Sequence, residues 1–219
     1  SSTEIRVEIA KGKESSLLDP KVYEYIEANG LYDDGLAAYR AILNEKLDEY
    51  RMYHSECVSE CAAVLAEKYG ADVQKARLAG LLHDVMKNVS PNDLIERSGE
   101  ALTKVDLTNS KVWHQLSGAQ YLKENGIVTD EEILGAVRWH TTGRVGMTLL
   151  EKIVYTADFI SADRDYPDVG VVRRLADESL EKAILYTARY TIKKLVSADL
   201  PIHPATVECY NDMLTKACL

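Results

Sequence analysis

Beyond Ile5, Val7 and Ile9, no convincing stretch of this 219-residue chain alternates apolar β-branched residues with polar ones. That two-residue period is what a half-buried strand requires. The apolar residues fall instead at helical spacings, divided by helix-ending punctuation. Pro20 and Asn29-Gly30 bracket a short amphipathic helix with Val22, Tyr25 and Ile26 on one face. A longer pattern runs from about Gly35 to Tyr69, apolar at Leu36, Tyr39, Leu43, Leu47 and Tyr50, then at Val58, Cys61 and Leu65, and Gly70 is placed to end it. Further helices are expected over about 72–87, 91–97, 110–124, 130–140, 147–161, 170–177, 179–197 and 204–217. The reading is an all-α domain from about residue 36 onward, without internal repeats or low-complexity tracts.

Composition narrows the function classes. At 46% hydrophobic and 28% charged, the chain has the make-up of a protein with a sizeable core rather than a disordered one. Apolar runs such as Ala79-Gly80-Leu81-Leu82 fall far short of the roughly 20 residues needed to span a bilayer, so no membrane partner is expected. No basic-then-apolar leader opens the chain. With 26 Lys+Arg against 35 Asp+Glu the formal charge is −9, which repels a nucleic-acid backbone over most of the surface and excludes nucleic acid as a partner. A small anionic substrate still fits, because a metal or a few local cations can dominate one pocket. Cys57, Cys61, Cys209 and Cys218 contain no CxxC pair, which points to a reducing cytoplasm.

The chemistry-bearing residues interrupt apolar helices. His83-Asp84 follows Ala76-Arg77-Leu78-Ala79-Gly80-Leu81-Leu82, and Asp158 ends Lys152-Ile153-Val154-Tyr155-Thr156-Ala157. An ionised Asp buried without a partner costs several kcal/mol, so each wants a cation beside it. With His54 on the earlier long helix, the spacing suits one ligand per helix of a bundle. Mixed imidazole and carboxylate donors favour Fe, Mn, Zn or similar ions over Mg or Ca. Taken singly, each histidine reads more simply as a hydrogen-bonded residue and Asp158 as half of a salt bridge. At the start of the chain, Ser1-Ser2-Thr3-Glu4-Ile5-Arg6 would place hydroxyls and N–H groups where a phosphate could sit. On spacing alone, plain helix capping is the simpler reading there.

Two resemblances add to this. SSTEIR, the Lys11-Gly12-Lys13 stretch, Leu18-Asp19-Pro20-Lys21-Val22, Tyr25-Ile26 and Gly30-Leu31-Tyr32 resemble the C-terminal end of bacterial nicotinate-nucleotide adenylyltransferases, where the Ser-Ser-Thr segment contacts ATP phosphates. That resemblance implies that residues 1–34 are the remnant of such a domain, fused in a longer chain to a second domain over 35–219. The nucleotide-binding sheet of that family is missing, so the remnant is expected to carry no adenylyltransferase activity. The order His54, His83-Asp84, His114, His140, Asp158 is similar to the HD-domain metal-dependent phosphohydrolases. His83-Asp84-Val85-Met86-Lys87, Trp113-His114-Gln115 with Gly118-Ala119, His140-Thr141-Thr142-Gly143 with Met147, Ala157-Asp158-Phe159-Ile160 with Arg164, and Tyr210-Asn211 resemble its YqeK-type branch of symmetrical diadenosine tetraphosphate hydrolases.

The second resemblance implies an HD-domain helical bundle that uses metal-activated water to split diadenosine tetraphosphate into two ADP. It implies a metal on His54, His83, Asp84 and Asp158, iron first, with Mn, Co or Zn as alternatives. Lys87, His114 and His140 would be the catalytic groups around the phosphates, and Thr141, Thr142, Gly143 and Arg164 would join them in binding substrate; a homodimer is compatible with it. Met86 stands where a smaller residue is usual, and Ser161-Ala162 where Glu-Pro is expected. Two alternatives stay open: another HD-type nucleotide phosphohydrolase, acting on a deoxynucleotide or cyclic nucleotide, and a nucleotide-binding regulatory domain of the fused adenylyltransferase. Other features read as structural. His54-x2-Cys57-x3-Cys61 has a zinc-like spacing, but free cysteines are more often small buried apolar groups. His203, between Pro201 and Pro204, is expected to bind nothing. Among thirteen tyrosines, a few such as Tyr155 would flank a base.

Overall fold

The computed structural model describes residue 5 and residues 17–28, 35–90 and 110–217. Within them run α1 (Pro20–Ala28), α2 (Ala37–Asn44), α3 (Glu49–Tyr69), α4 (Val73–Leu82), α5 (Trp113–Glu124), α6 (Glu131–Trp139), α7 (Leu149–Ile160), α8 (Val169–Glu178), α9 (Leu180–Ser197) and α10 (Pro204–Ala217). No strand occurs among the described residues, and none of their helices is long and apolar enough to cross a membrane.

The bundle is built around α7, which packs on α3, α4, α6, α8 and α9. Leu150, Ile153, Val154, Tyr155 and Ala157 are buried along it, while Leu149 at its start is exposed. Its start is fixed by a reciprocal cap: the Glu151 N–H donates to the Thr148 hydroxyl at 3.2 Å and the Thr148 N–H to the Glu151 carboxylate at 3.0 Å. Arg144 grips that carboxylate through two further bonds of 3.0 and 2.8 Å. The side chains of Asp48, Asp72, Asp130 and Ser179 cap the starts of α3, α4, α6 and α9, each contributing on the order of 1 kcal/mol.

The α3–α4 contact sets the scale of the site. A Cβ on Gly80 would lie 3.0 Å from Ser59 Cα and Val58 O, so the two backbones approach more closely than any other residue at 80 allows. The α3 N-terminal half is thereby held against the end of α4.

Three expectations need correction. The pattern from Gly35 to Tyr69 is two helices, not one. The Leu43 carbonyl accepts from both Lys46 and Leu47, and Asp48 turns extended so that its carboxylate caps Arg51 N at 2.8 Å. That local side-chain bond competes with continuing the first helix, and Leu47 is buried at the break. The second correction is that α4 stops at Leu82 rather than near 87; tight turns follow, with Val85 N bonded to Leu82 O and Lys87 N to Asp84 O. In α1, Ile26 is buried, but Val22 and Tyr25 on the same face are 46% and 62% exposed. The expected helix over 91–97, the 1–16 segment apart from residue 5, residues 29–34 and Cys218 lie outside the described residues.

Candidate metal and phosphate site

His54 from α3, His83 and Asp84 from the turn after α4, His114 from the first turn of α5, His140 from the end of α6 and Asp158 from the end of α7 converge on one point. All four histidines and Asp84 are buried. His83 Nδ1 donates to Gly80 O at 2.7 Å and His140 Nδ1 to Val137 O at 2.7 Å, each to the carbonyl three residues back. His54 Nδ1 donates to Asp163 Oδ2 at 2.7 Å. In His83 and His140, Nδ1 protonation leaves the lone pair on Nε2 facing the centre, the arrangement a metal-binding imidazole needs.

Those inward atoms are only partly satisfied by one another: His54 Nε2 lies 3.0 Å from Asp158 Oδ1. His83 Nε2 is buried without a hydrogen bond and stands 3.6 Å from Asp84 Oδ2 and 3.9 Å from Asp158 Oδ1, while Asp84 Oδ1 lies 3.1 Å from His114 Nε2 and 3.4 Å from Lys87 Nζ. Buried acceptors without donors cost free energy unless a cation meets them. Three donor sets lie close enough to share an ion: His54, His83 and Asp84; His83, His140 and Asp158; Asp84, His114 and His140. Within each, all ligand atoms lie within 4.8 Å of one another. The residues present fit a metal ion.

The electrostatics separate the histidines. Burial opposes charge on His54 most strongly, yet the Asp158 and Asp163 carboxylates outweigh it and raise its pKa to about 9. Burial pushes His83 down to about 3. Burial, then the Lys87 ammonium, lowers His114 to about 4. Burial also works against the charged forms of Asp84 and Asp158. The surrounding imidazoles, and Arg164 beside Asp158, still hold both carboxyls well below the usual range. Arg51 Nη1 reaches Asp84 Oδ2 at 3.3 Å, while Arg164 donates to the Asp158 carboxylate and, at 2.6 Å, to the Asp158 carbonyl.

On the Asp84 flank, His114 Nε2 lies 3.0 Å from Lys87 Nζ, 3.0 Å from His140 Nε2 and 3.2 Å from Thr141 Oγ1. Thr142 and Gly143 have another part. The Thr142 hydroxyl accepts from Gln115 Nε2 at 3.1 Å and donates to Gly143 O at 3.0 Å, so it shapes the turn rather than facing the centre. Gly143 has φ +63, and a Cβ there would lie 2.5 Å from Cys209 Sγ. Of the three turn residues, Thr141 alone brings a side chain to the centre.

Sequence reasoning missed three groups. Asp163 orients His54 and is itself held by the Ser161 hydroxyl at 2.7 Å; an acid five residues after Asp158, beside the unexpected Ser161, was the available signal. Gln115 Oε1 accepts from Thr141 N and Thr142 N at 3.0 and 3.2 Å, fixing the turn that follows His140. Arg51, one turn before His54, reaches Asp84 from α3, and nothing among its sequence neighbours signals that role. Tyr155 corrects an expectation: its side chain is 1% exposed and packs on Phe159, so it cannot flank a base. Cys57 and Cys61 carry free thiols, with burial pushing Cys57 up to about 11, and neither joins a metal set among the described residues. His203 Nδ1 accepts from Ala205 N at 3.1 Å, outside the centre.

The HD domain family model matches residues 51–163. The symmetrical bis(5'-nucleosyl)-tetraphosphatase of Bacillus subtilis (strain 168) is 37% identical over 174 residues, covering 78% of this chain and 93% of the relative. A crystal structure described as that of a predicted HD superfamily hydrolase involved in NAD metabolism from Clostridium acetobutylicum superposes with TM-score 0.78 at 38% identity, covering 81% of this chain and 95% of that one. A probable nicotinate-nucleotide adenylyltransferase/Ap4A hydrolase of Mycoplasma genitalium is 28% identical over 195 residues, covering 84% of this chain and 54% of the relative.

Proposed function

The chain belongs to the HD-domain family, among the symmetrical bis(5'-nucleosyl)-tetraphosphatases, and from that premise we propose that it hydrolyses diadenosine tetraphosphate to two ADP. The observation that carries this reading is His83 Nε2, a buried acceptor without a hydrogen bond, facing the Asp84 and Asp158 carboxylates amid imidazoles and three flanking cations. His54, His83, Asp84 and Asp158 hold the ion, read as iron with Mn, Co or Zn as alternatives. Bound there, such an ion polarises a phosphoryl oxygen and makes a water nucleophilic near neutral pH.

The chain's own groups do the rest. A tetraphosphate bridge carries about four negative charges, which Lys87 meets on the Asp84 flank and Arg164 on the Asp158 flank. His114 Nε2 lies within 3.2 Å of Lys87 Nζ, His140 Nε2 and Thr141 Oγ1. It serves the developing phosphate charge as a hydrogen-bonding group, alongside the Thr141 hydroxyl and His140. The anhydride bond between the second and third phosphates breaks. Oxygen from water joins one phosphorus, and the other nucleoside diphosphate departs with the bridging oxygen. Product chromatography tests this: ADP is the expected single nucleotide product, and AMP plus ATP as the main initial products would overturn the symmetrical cut.

The free thiols support a reducing cytoplasm as the working compartment. We also read residues 1–34 as the end of an adenylyltransferase domain fused to the hydrolase over 35–219; the Mycoplasma genitalium relative, whose name joins both activities, supports that reading.

A further inference from the structure

A cavity of about 230 Å³ opens beside Asp158, walled by Phe159, Arg164, Tyr166, Tyr190 and Lys194. Whole-ligand pockets run to roughly 300–1,000 Å³, so this one suits part of a ligand whose remainder lies elsewhere. One wall is shared with the centre, since Asp158 and Arg164 belong to both. The other is aromatic. Tyr166 is fixed by its hydroxyl donating to Phe159 O at 3.1 Å, and its ring faces Tyr190 with centroids 6.1 Å apart and planes tilted by 31°. Tyr190 is 37% exposed, an aromatic face held out of the core on α9, with Lys194 one turn further on.

The chemistry of those walls is that of a nucleotide half: ring faces for a base and cations for the phosphates that follow it. The cations also fall on two sides of the centre, Lys87 by Asp84 and Arg164 with Lys194 by Asp158. We propose that this cavity is the binding site for one nucleoside of the substrate, its base on Tyr190 and Tyr166 and its phosphates led past Lys194 and Arg164 onto the centre. The second nucleoside diphosphate then lies on the Lys87 and Thr141 flank. This rests on the dinucleotide reading above and adds how the enzyme requires both ends of its substrate.

The test uses ADP and diadenosine tetraphosphate on the metal-loaded protein. By calorimetry, wild type is expected to bind two ADP per chain and Tyr190→Ala one. In turnover assays Tyr190→Ala should raise KM for diadenosine tetraphosphate roughly 5- to 100-fold, more than it lowers kcat, with Tyr190→Phe restoring KM to within about threefold. Activity on adenosine 5'-tetraphosphate, which has one nucleoside, should fall less than activity on the dinucleotide. Lys194→Ala, at an exposed position, gives the same ADP readout should Tyr190→Ala misfold. Equal ADP stoichiometry in wild type and variants, with KM unchanged, would overturn the assignment. ADP binding needs no turnover, so a wild-type enzyme that released AMP plus ATP would refute the proposed reaction while leaving the cavity tested.

Discussion

Replacing Gly80 by alanine sets two effects of opposite sign against each other. Gly80 is the third-last residue of α4, where glycine is worse than alanine by about 0.5–1 kcal/mol, so propensity alone favours the variant. The new Cβ, however, would lie 3.0 Å from Ser59 Cα and Val58 O and 3.1 Å from Ser59 N, all backbone atoms of α3 that cannot rotate away. Forcing a methyl into such a contact costs about 1–3 kcal/mol. The net is a loss of about 0–2.5 kcal/mol, centred a little above 1, which at 2–4 °C per kcal/mol for a chain of this size lowers Tm by roughly 2–5 °C at the centre and by at most about 10 °C. The separation of α3 from α4 also shifts His83, whose Nδ1 bonds to Gly80 O, away from His54, so metal affinity should fall with stability. Gly118→Ala is the control. Its Cβ would meet methyls of Val85 and Val137 at 3.4 and 3.6 Å, with the nearest backbone atom at 4.0 Å. There the helix gain wins, and stability should rise by about 0.5–1 kcal/mol. Calorimetric melts of both variants decide it. A higher Tm for Gly80→Ala would refute the claim that backbone approach governs this contact.

Asp163→Asn should weaken metal binding about 10- to 100-fold, because the charged partner of His54 Nδ1 is lost while the ligand itself remains; competition titration against a chelator measures it, and an unchanged affinity would show that Asp163 does not tune His54. Gln115→Ala leaves the buried Thr142 N–H without its acceptor, costing about 1–3 kcal/mol of stability. Metal content should be kept while kcat/KM drops by roughly tenfold or more, and Gln115→Glu, which keeps the acceptor, should recover part of the loss; full activity in the alanine variant would contradict the clamp. Stripping the ion with EDTA should lower Tm by roughly 5–10 °C if the loaded protein was held at about 100 times Kd, since that binding adds about 2.7 kcal/mol. An unshifted melt after verified metal loss would show that the ligand cluster stands without a cation.

The amino-acid pattern determined what is local. Helical spacing and the absence of alternation set the all-α class, because periodicity is a property of neighbouring residues. Gly70 as the end of α3 was legible for the same reason: a left-handed residue after an apolar run is a local signal, and it has φ +74. His83, Asp84 and Asp158 are legible as polar residues interrupting apolar runs, and His54 joins them through the order of a known family. What the pattern did not determine were relations between distant segments. Asp163 bonds His54 across 109 positions and Gln115 grips Thr141 across 26, and neither residue looks unusual among its own neighbours. Tyr155 and Tyr190 read alike as tyrosines on helices. Only the packing of α7 at the centre and α9 at the edge buried one and left the other facing a cavity, since burial is decided by what covers a helix face rather than by the residue that occupies it.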